Sequence, residues 1–459
     1  MSILPLPILR LAAAVVTTAL VGLGPARADT TIALGDGVSL TYTSGMLDPI
    51  SLEGSATFVR LLIDDRQVAL ILSLRLATRG AMVDHDFTIT ELEARTIITN
   101  TAQTLIGEAT GRDLTVGTLG TLVRTLGHRR GPIAPDILDM ITIGELTLRR
   151  VTHTTEATEL SADRVHLQGL ASGKVAAIEI DRGTIDDEND ESRIEIASAR
   201  IDGLSLSERT YNGFVATDIA VAKDDLDFKI GAMDYQREIA HLPDGTPYAP
   251  WSSLSMGKIV AQPAGLSTAE AAGARARGAT LDGLEIALET SARPDGGNFI
   301  AAYHARIGEG AGDALAVSAR FQIPATNWQL LGGTILTGTH KVAERVLPLI
   351  AGALLIDGAI EIKEPTRGDP AAAVSGGETS GEPTGPQRTI AQMAAGLLST
   401  LPGSGDIRDA VSAFIAKSGV LRITATPVDP VPLNLLLGSE APPGGLWAKL
   451  NIQAVHSTP

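Results

Sequence analysis

Between Ile141 and Ile196 apolar residues recur in pairs two positions apart: Ile141 and Ile143, Leu146 and Leu148, Val165 and Leu167, Ile178 and Ile180, Ile194 and Ile196. Successive side chains of an extended strand point to opposite faces, so a spacing of two marks half-buried strands. The pairs follow one another closely and are broken by Gly, Asp and Asn. Parallel βαβ units need long helices between strands, and helix-length gaps are missing here. The expected fold is therefore mainly β: a long meandering antiparallel sheet or sandwich, with a few short helices, mostly toward the C-terminus.

The flanking segments extend this pattern. Ile32 to Leu40, Ala56 to Ile63 and Val68 to Leu76 read as strands, with turn candidates at Gly35-Asp36-Gly37 and Asp64-Asp65-Arg66. Pro243-Asp244-Gly245 and Pro294-Asp295-Gly296-Gly297 are further turns, the latter leading into Phe299 to Ile307 and Ala314 to Ile323. Ile201-Asp202-Gly203-Leu204, Leu281-Asp282-Gly283-Leu284 and Ile356-Asp357-Gly358-Ala359 echo one another, and Leu167-Gln168-Gly169-Leu170 resembles them. Asp-Gly between apolar residues is first a turn signal, and repeated strand modules are the alternative. Short helices are expected at Thr101 to Ile106 and Leu119 to Leu126. Val342, Val346, Leu349, Ile350 and Leu354 fall at helical spacing, interrupted at Pro348. Two more helices are expected at Thr389 to Leu401 and Asp406 to Lys417, then a strand from Val420 to Thr426 and a last one near Leu446 to Val455.

The first residues carry an export pattern. A short segment ending at Arg10 precedes an apolar run from Leu11 to Gly24, and Ala26-Arg27-Ala28 follows. A spanning helix needs roughly 20 apolar residues, whereas a signal peptide needs roughly 7 to 15 followed by small residues at the cleavage site. Cleavage is expected after Ala28, with an uncleaved N-terminal anchor as the alternative. Removing Arg10 and Arg27 and no acid takes the formal charge from −16 to −18. Such a charge repels phosphate backbones, so nucleic acid is not an expected partner. The basic cluster Arg124, His128, Arg129 and Arg130 reads as a solvated helix end. The chain has no cysteine, which excludes a lipid-modified N-terminal cysteine, disulfides, thiolate zinc sites and cysteine nucleophiles.

No motif supplies chemistry. The eight histidines form no zinc spacing. In Asp84-His85-Asp86, alternation on a strand sends the carboxylates to one face and the imidazole to the other. Asp186 to Glu191 has acids at the first, third and fifth places of a calcium loop, but Glu191 stands where such a loop needs glycine. It reads as an exposed hairpin tip. Nucleophile-elbow and phosphate-loop motifs are absent. Aromatic residues make up only 3% of the chain, which disfavours a large carbohydrate cleft built on stacking surfaces. No catalytic, cofactor-binding or metal site residue is assigned, and no cofactor is expected.

The segment Val411-Ser-Ala-Phe-Ile-Ala-Lys-Ser-Gly-Val-Leu-Arg-Ile-Thr-Ala-Thr-Pro-Val-Asp-Pro-Val-Pro-Leu433 resembles the C-terminal signature of uncharacterised exported bacterial envelope proteins, in which a helix leads into a strand and a Pro-x-x-Pro-Val-Pro segment. The β-rich middle, with Ile143-Gly-Glu-Leu-Thr-Leu148 and Ile201-Asp-Gly-Leu204, is similar in texture to AsmA-like envelope proteins. That resemblance implies lipid handling or outer-membrane maintenance and brings no catalytic residue with it. The chain departs from those proteins in being short.

The expected organisation is a signal peptide over 1–28, an N-terminal β-rich region with short helices over 29–135, and a β-rich central region over 136–363. A disordered linker over 364–388, rich in Pro, Gly, Ser and Thr, precedes a helix-helix-strand region over 389–459. The expected function is that of a non-enzymatic periplasmic envelope protein binding lipid or an envelope partner through an aliphatic sheet surface. Two alternatives stand beside it. One is an exported hydrolase with a dispersed site, for which His85, His153, His166 and His304 are the first residues to inspect. The other is a self-associating structural protein with open strand edges.

Overall fold

The computed structural model describes residues 30–82, 87–99, 104–116, 141–155, 157–188, 192–206, 210–223, 226–263, 281–309, 312–328, 352–364, 405–417, 419–433 and 449–458. They fall in two compact units, Met1–Asp224 and Asp225–Pro459. Strands dominate both, and every strand pairing is antiparallel.

In the first unit β1 (Thr30–Gly35) and β2 (Val38–Tyr42) form a hairpin, and β2 and β3 (Ser44–Leu47) both lie along β4 (Gly54–Ile63). From β4 onward each strand pairs with the next: β5 (Arg66–Arg79), β6 (Thr88–Thr99), β7 (Thr104–Val116), β8 (Ile141–Thr154), β9 (Thr158–Ala171), β10 (Lys174–Asp187), β11 (Ser192–Ser205) and β12 (Gly213–Lys223). The expected turns are in place. Asp36 and Gly37 have φ of 51° and 71°, and Asp64 and Asp65 have 47° and 60°, the left-handed pair that a two-residue hairpin needs.

The apolar pairs belong to long continuous strands. In β8 the buried apolar residues are Ile141, Ile143, Leu146, Leu148 and Val151; in β11 they are Ile194, Ile196, Ala199, Ile201 and Leu204. Steps of two and three alternate. Strict alternation would turn every second pair to the wrong face, and left-handed residues prevent this. Phe58, Thr96, Arg150, Arg182 and Asp218 have φ of 50°, 52°, 54°, 49° and 47°. The registers set them in one line across the sheet, on every second strand from β4 to β12, with Leu72, Gly107, Asp163 and Ala197 between them. A second line, through Asp113, Gly169 and Gly203 with φ of 53°, 64° and 62°, runs parallel to the first on β7, β9 and β11.

At these crossings two successive side chains face outward: Arg112 and Asp113 in β7, Arg149 and Arg150 in β8. Two side chains on one side and none on the other mark the convex side of a bend, so the apolar face is the concave one. Its central row runs Ala94, Ala109, Leu148, Val165, Ile180, Ala199 and Ala216, neighbour to neighbour across seven strands. None of these side chains is more than 4% exposed.

The second unit continues in the same manner: β13 (Leu226–His241), β14 (Pro247–Pro263), β15 (Leu281–Asp295), β16 (Asn298–Glu309), β17 (Gly312–Pro324) and β18 (Leu354–Glu364) pair in sequence. One part of β18 pairs with β19 (Gly419–Ala425) and the other with the short β20 (Val431–Pro432); β21 (Ile452–Ser457) lies beyond β19. Helix α1 (Gly405–Lys417) presents Ile407, Ala410, Val411 and Phe414, the spacing of one helical face, to Ile362, Leu421 and Ile423. Residues 325–328 form a single helical turn.

Three expectations need correction. The described part of Thr101 to Ile106, from Thr104 on, is strand and not helix: Thr104 and Ile106 are alternate inward residues of β7, and β-branched side chains favour that pleated surface. Leu354, the last residue of the expected helical spacing, instead opens β18, where it pairs with Gln322. The Asp-Gly pairs are not turns between strands. Gly203 and Gly283, with φ of 62° and 75°, lie within β11 and β15, and Gly358 lies within β18. At Gly203 and Gly283 glycine serves to kink a strand, as it does at Gly169, where a Cβ would stand 3.0 Å from that of Ala176. The turns at Asp244-Gly245 and Gly296-Gly297, the strands over Phe299 to Ile323, helix α1 and the strand after it are as expected. The signal peptide, the basic cluster, Leu119 to Leu126, residues 341–350, Thr389 to Leu401 and all of the linker beyond Glu364 lie outside the described residues.

Candidate functional site

The apolar faces of the two units differ in burial. In the second unit Leu254, Leu288, Ala305, Val317 and Ile360 are direct cross-strand neighbours on β14 to β18, and all five are half-buried. Beside them Ile286, Ile307 and Leu315 form a second half-buried row. The strip is covered at one end, where Ile362 and Leu421 are sealed under α1.

Hydroxyls line part of its other margin, beside the buried cluster of Ala301, Ile323 and Ala353. The hydroxyls of Ser252 and Thr290 lie 2.6 Å apart, and Tyr303 stands opposite Thr290 on the next strand. The Tyr303 ring meets Phe321 edge-on at 5.7 Å. Burial pushes the Tyr303 phenol above its usual pKa, since a phenolate loses its hydration there. It therefore presents a neutral hydroxyl at ordinary pH. An aliphatic strip with a hydroxyl margin can hold an amphiphile; it places no nucleophile beside a base.

The histidines do not form one site. His153 points to the concave face at the edge of the first unit, with Nδ1 2.7 Å from Thr104 Oγ1. His166 faces the convex side, between Thr147 Oγ1 at 2.8 Å and the Gln168 amide at 2.9 Å, with Glu145 at 3.7 Å. Both ring nitrogens of His166 are thus engaged in holding the sheet surface. His304 lies on β16 of the second unit, and His85, with its flanking Asp84 and Asp86, lies outside the described residues. Among the described residues no three His, Asp or Glu side chains are grouped to hold a metal ion.

Asp186 and Asp187 stand at the end of β10, where Asp187 faces Ser192 across the hairpin and Asp186 is paired with Arg193 at 3.2 Å. The convex face nearby is a lattice of such pairs: Arg164 with Glu179 and Asp181, Arg200 with Glu179 and Asp202, Arg182 with Asp163. These are exposed or half-exposed pairs, each worth at most about 1 kcal/mol.

Sequence reading missed the contrast between a sealed and a half-open apolar face. Alanine content gave no signal, since alanines also fill the sealed row of the first unit at Ala94, Ala109, Ala199 and Ala216.

Residues 349–457 match a family model described as "Uncharacterized protein". The match takes in β18, α1, β19, β20 and β21. No curated protein matches the chain. No helix among the described residues is long and apolar enough to cross a membrane.

Proposed function

We propose that the protein is an exported, non-enzymatic component of the bacterial cell envelope that holds the acyl part of a lipid against the aliphatic strip of its second unit. The observation behind this reading is the pair of half-buried rows, one through Leu288 and Val317 and the other through Ile286 and Leu315, on a face whose counterpart in the first unit is sealed. Aliphatic surface left partly open on a sheet marks a place where something else is bound. The resemblance of the β-rich middle to AsmA-like envelope proteins and the export pattern before Ala28 support the same reading. The test is lipid extraction and native mass spectrometry of purified protein, before and after addition of palmitate. Retained or added acyl mass, with no turnover of ester, glycoside or peptide substrates, is the expected result. Lipid-free protein that gains no mass from palmitate would refute it, and turnover would restore the hydrolase reading.

A further inference from the structure

The opposite face of the same strands has its own relief. One line of direct cross-strand neighbours runs Trp251, Ser291, Ala302, Arg320 and Asp357 over β14 to β18, and the adjacent line holds Glu289, His304 and Ser318. Small side chains in the middle and large ones at the ends leave a depression of about 440 Å³ lined by these residues. That is within the range of small-ligand sites. Trp251 is 41% exposed at one end. At the other, Arg320 donates from Nε to the Asp357 carboxylate at 2.8 and 3.0 Å. Strands about 4.8 Å apart set Trp251 and Arg320 roughly 14 Å from one another.

The charges in and beside the depression cancel in pairs. Asp357 is matched by Arg320, and Glu289 by Arg306 at 3.4 Å. There is no excess charge to draw in an ion. What the walls offer instead is an indole face, and planar carboxylate and guanidinium groups that bond in two-pronged fashion. A ligand suited to both has an apolar C–H face and adjacent hydroxyls. We infer that this depression is a binding site for a short neutral oligosaccharide, with one ring stacked on Trp251 and the hydroxyls of the following rings bonded first to Glu289 and then, at the far end, to Arg320 and Asp357. The low aromatic content of the chain argues against a long cleft with many stacking subsites, and a site of this length needs one platform.

The experiment is calorimetric titration of the full chain with maltotriose, cellotriose and triacetylchitotriose, repeated with Trp251→Ala and Ala302→Arg. Trp251 is exposed and Ala302 faces the depression, so circular dichroism should be unchanged in both variants. At least one trisaccharide is expected to bind, Trp251→Ala to weaken it by about tenfold or more, and Ala302→Arg to abolish it. The inference falls if none of the three binds in the millimolar range, or if Trp251→Ala binds as well as wild type. It also falls if binding is lost only on Leu288→Asp, which would put the sugar on the opposite, aliphatic face. Palmitate retention is a separate readout, since the two sites lie on different faces.

Discussion

His153 has given up water without gaining a counter-charge. Burial holds its pKa below the ordinary value of 6.5, because the imidazolium is the form that suffers from desolvation. In the unfolded chain the ring takes up a proton near 6.5, and in the folded chain only at lower pH. The stabilisation from a neutral His153 is therefore complete above about pH 6.5 and is lost as pH falls through the folded value. Urea midpoints of wild type and His153→Gln, compared from pH 8 to pH 5, should show a gap that changes below pH 6.5. A gap that stays constant over that range would mean that the ring titrates alike in both states. Tyr303 shows the same physics with the opposite sign, its phenol pushed up by burial. Neither environment was visible in the sequence, where both residues are polar positions in an alternating strand. What set them apart was their place on the apolar face, which is a property of the folded sheet.

At the scale of the strand the decisive element is the kink. Its glycine members, Gly169 and Gly203, were visible in the sequence as Gln-Gly and Asp-Gly pairs and read as turns, because a left-handed glycine most often closes a hairpin. Its other members left no such trace. Arg150, Arg182 and Thr96 adopt positive φ without being the residue types that favour it, since the alternative is to turn half of each strand's apolar residues to water. The true turns were legible at Asp64-Asp65 and Gly296-Gly297, where local conformation alone decides. Thr96 is the most strained member, for a β-branched residue is poorly suited to φ of 52°. Thr96→Asn is expected to stabilise the protein by about 1 kcal/mol, asparagine tolerating that conformation. Gly203→Ala should destabilise it by about 1 to 3 kcal/mol, because its Cβ would meet the Asn212 side chain at a left-handed φ. Urea denaturation of the pair checks both. Equal, near-zero effects would show that the kink line is not under the conformational stress ascribed to it.

At the scale of the molecule, one sheet architecture appears in two states of closure. Both units are antiparallel meanders with an apolar face, and this much followed from spacing and turns. Which face is sealed did not, because exposure depends on how far a sheet bends and on what lies across it. Val165 and Val317 make the difference measurable, since each is a valine in the middle of an aliphatic row, one 2% exposed and the other half-buried. An aspartate at 165 would be an unpaired charge in a dry interior, costing more than about 3 kcal/mol. That is a large share of the roughly 5–15 kcal/mol by which a domain is stable. Val165→Asp is therefore expected to abolish the cooperative urea transition of the first unit. At 317 the carboxylate reaches water, so Val317→Asp should keep the fold, with an unchanged circular dichroism spectrum, while placing a charge on the acyl-binding strip. Palmitate added to this variant should then fail to shift its mass, where wild type gains one ligand. If Val317→Asp unfolds the protein as Val165→Asp does, the second face is sealed like the first. If it folds and still takes up palmitate, the strip is open but is not where the acyl chain lies.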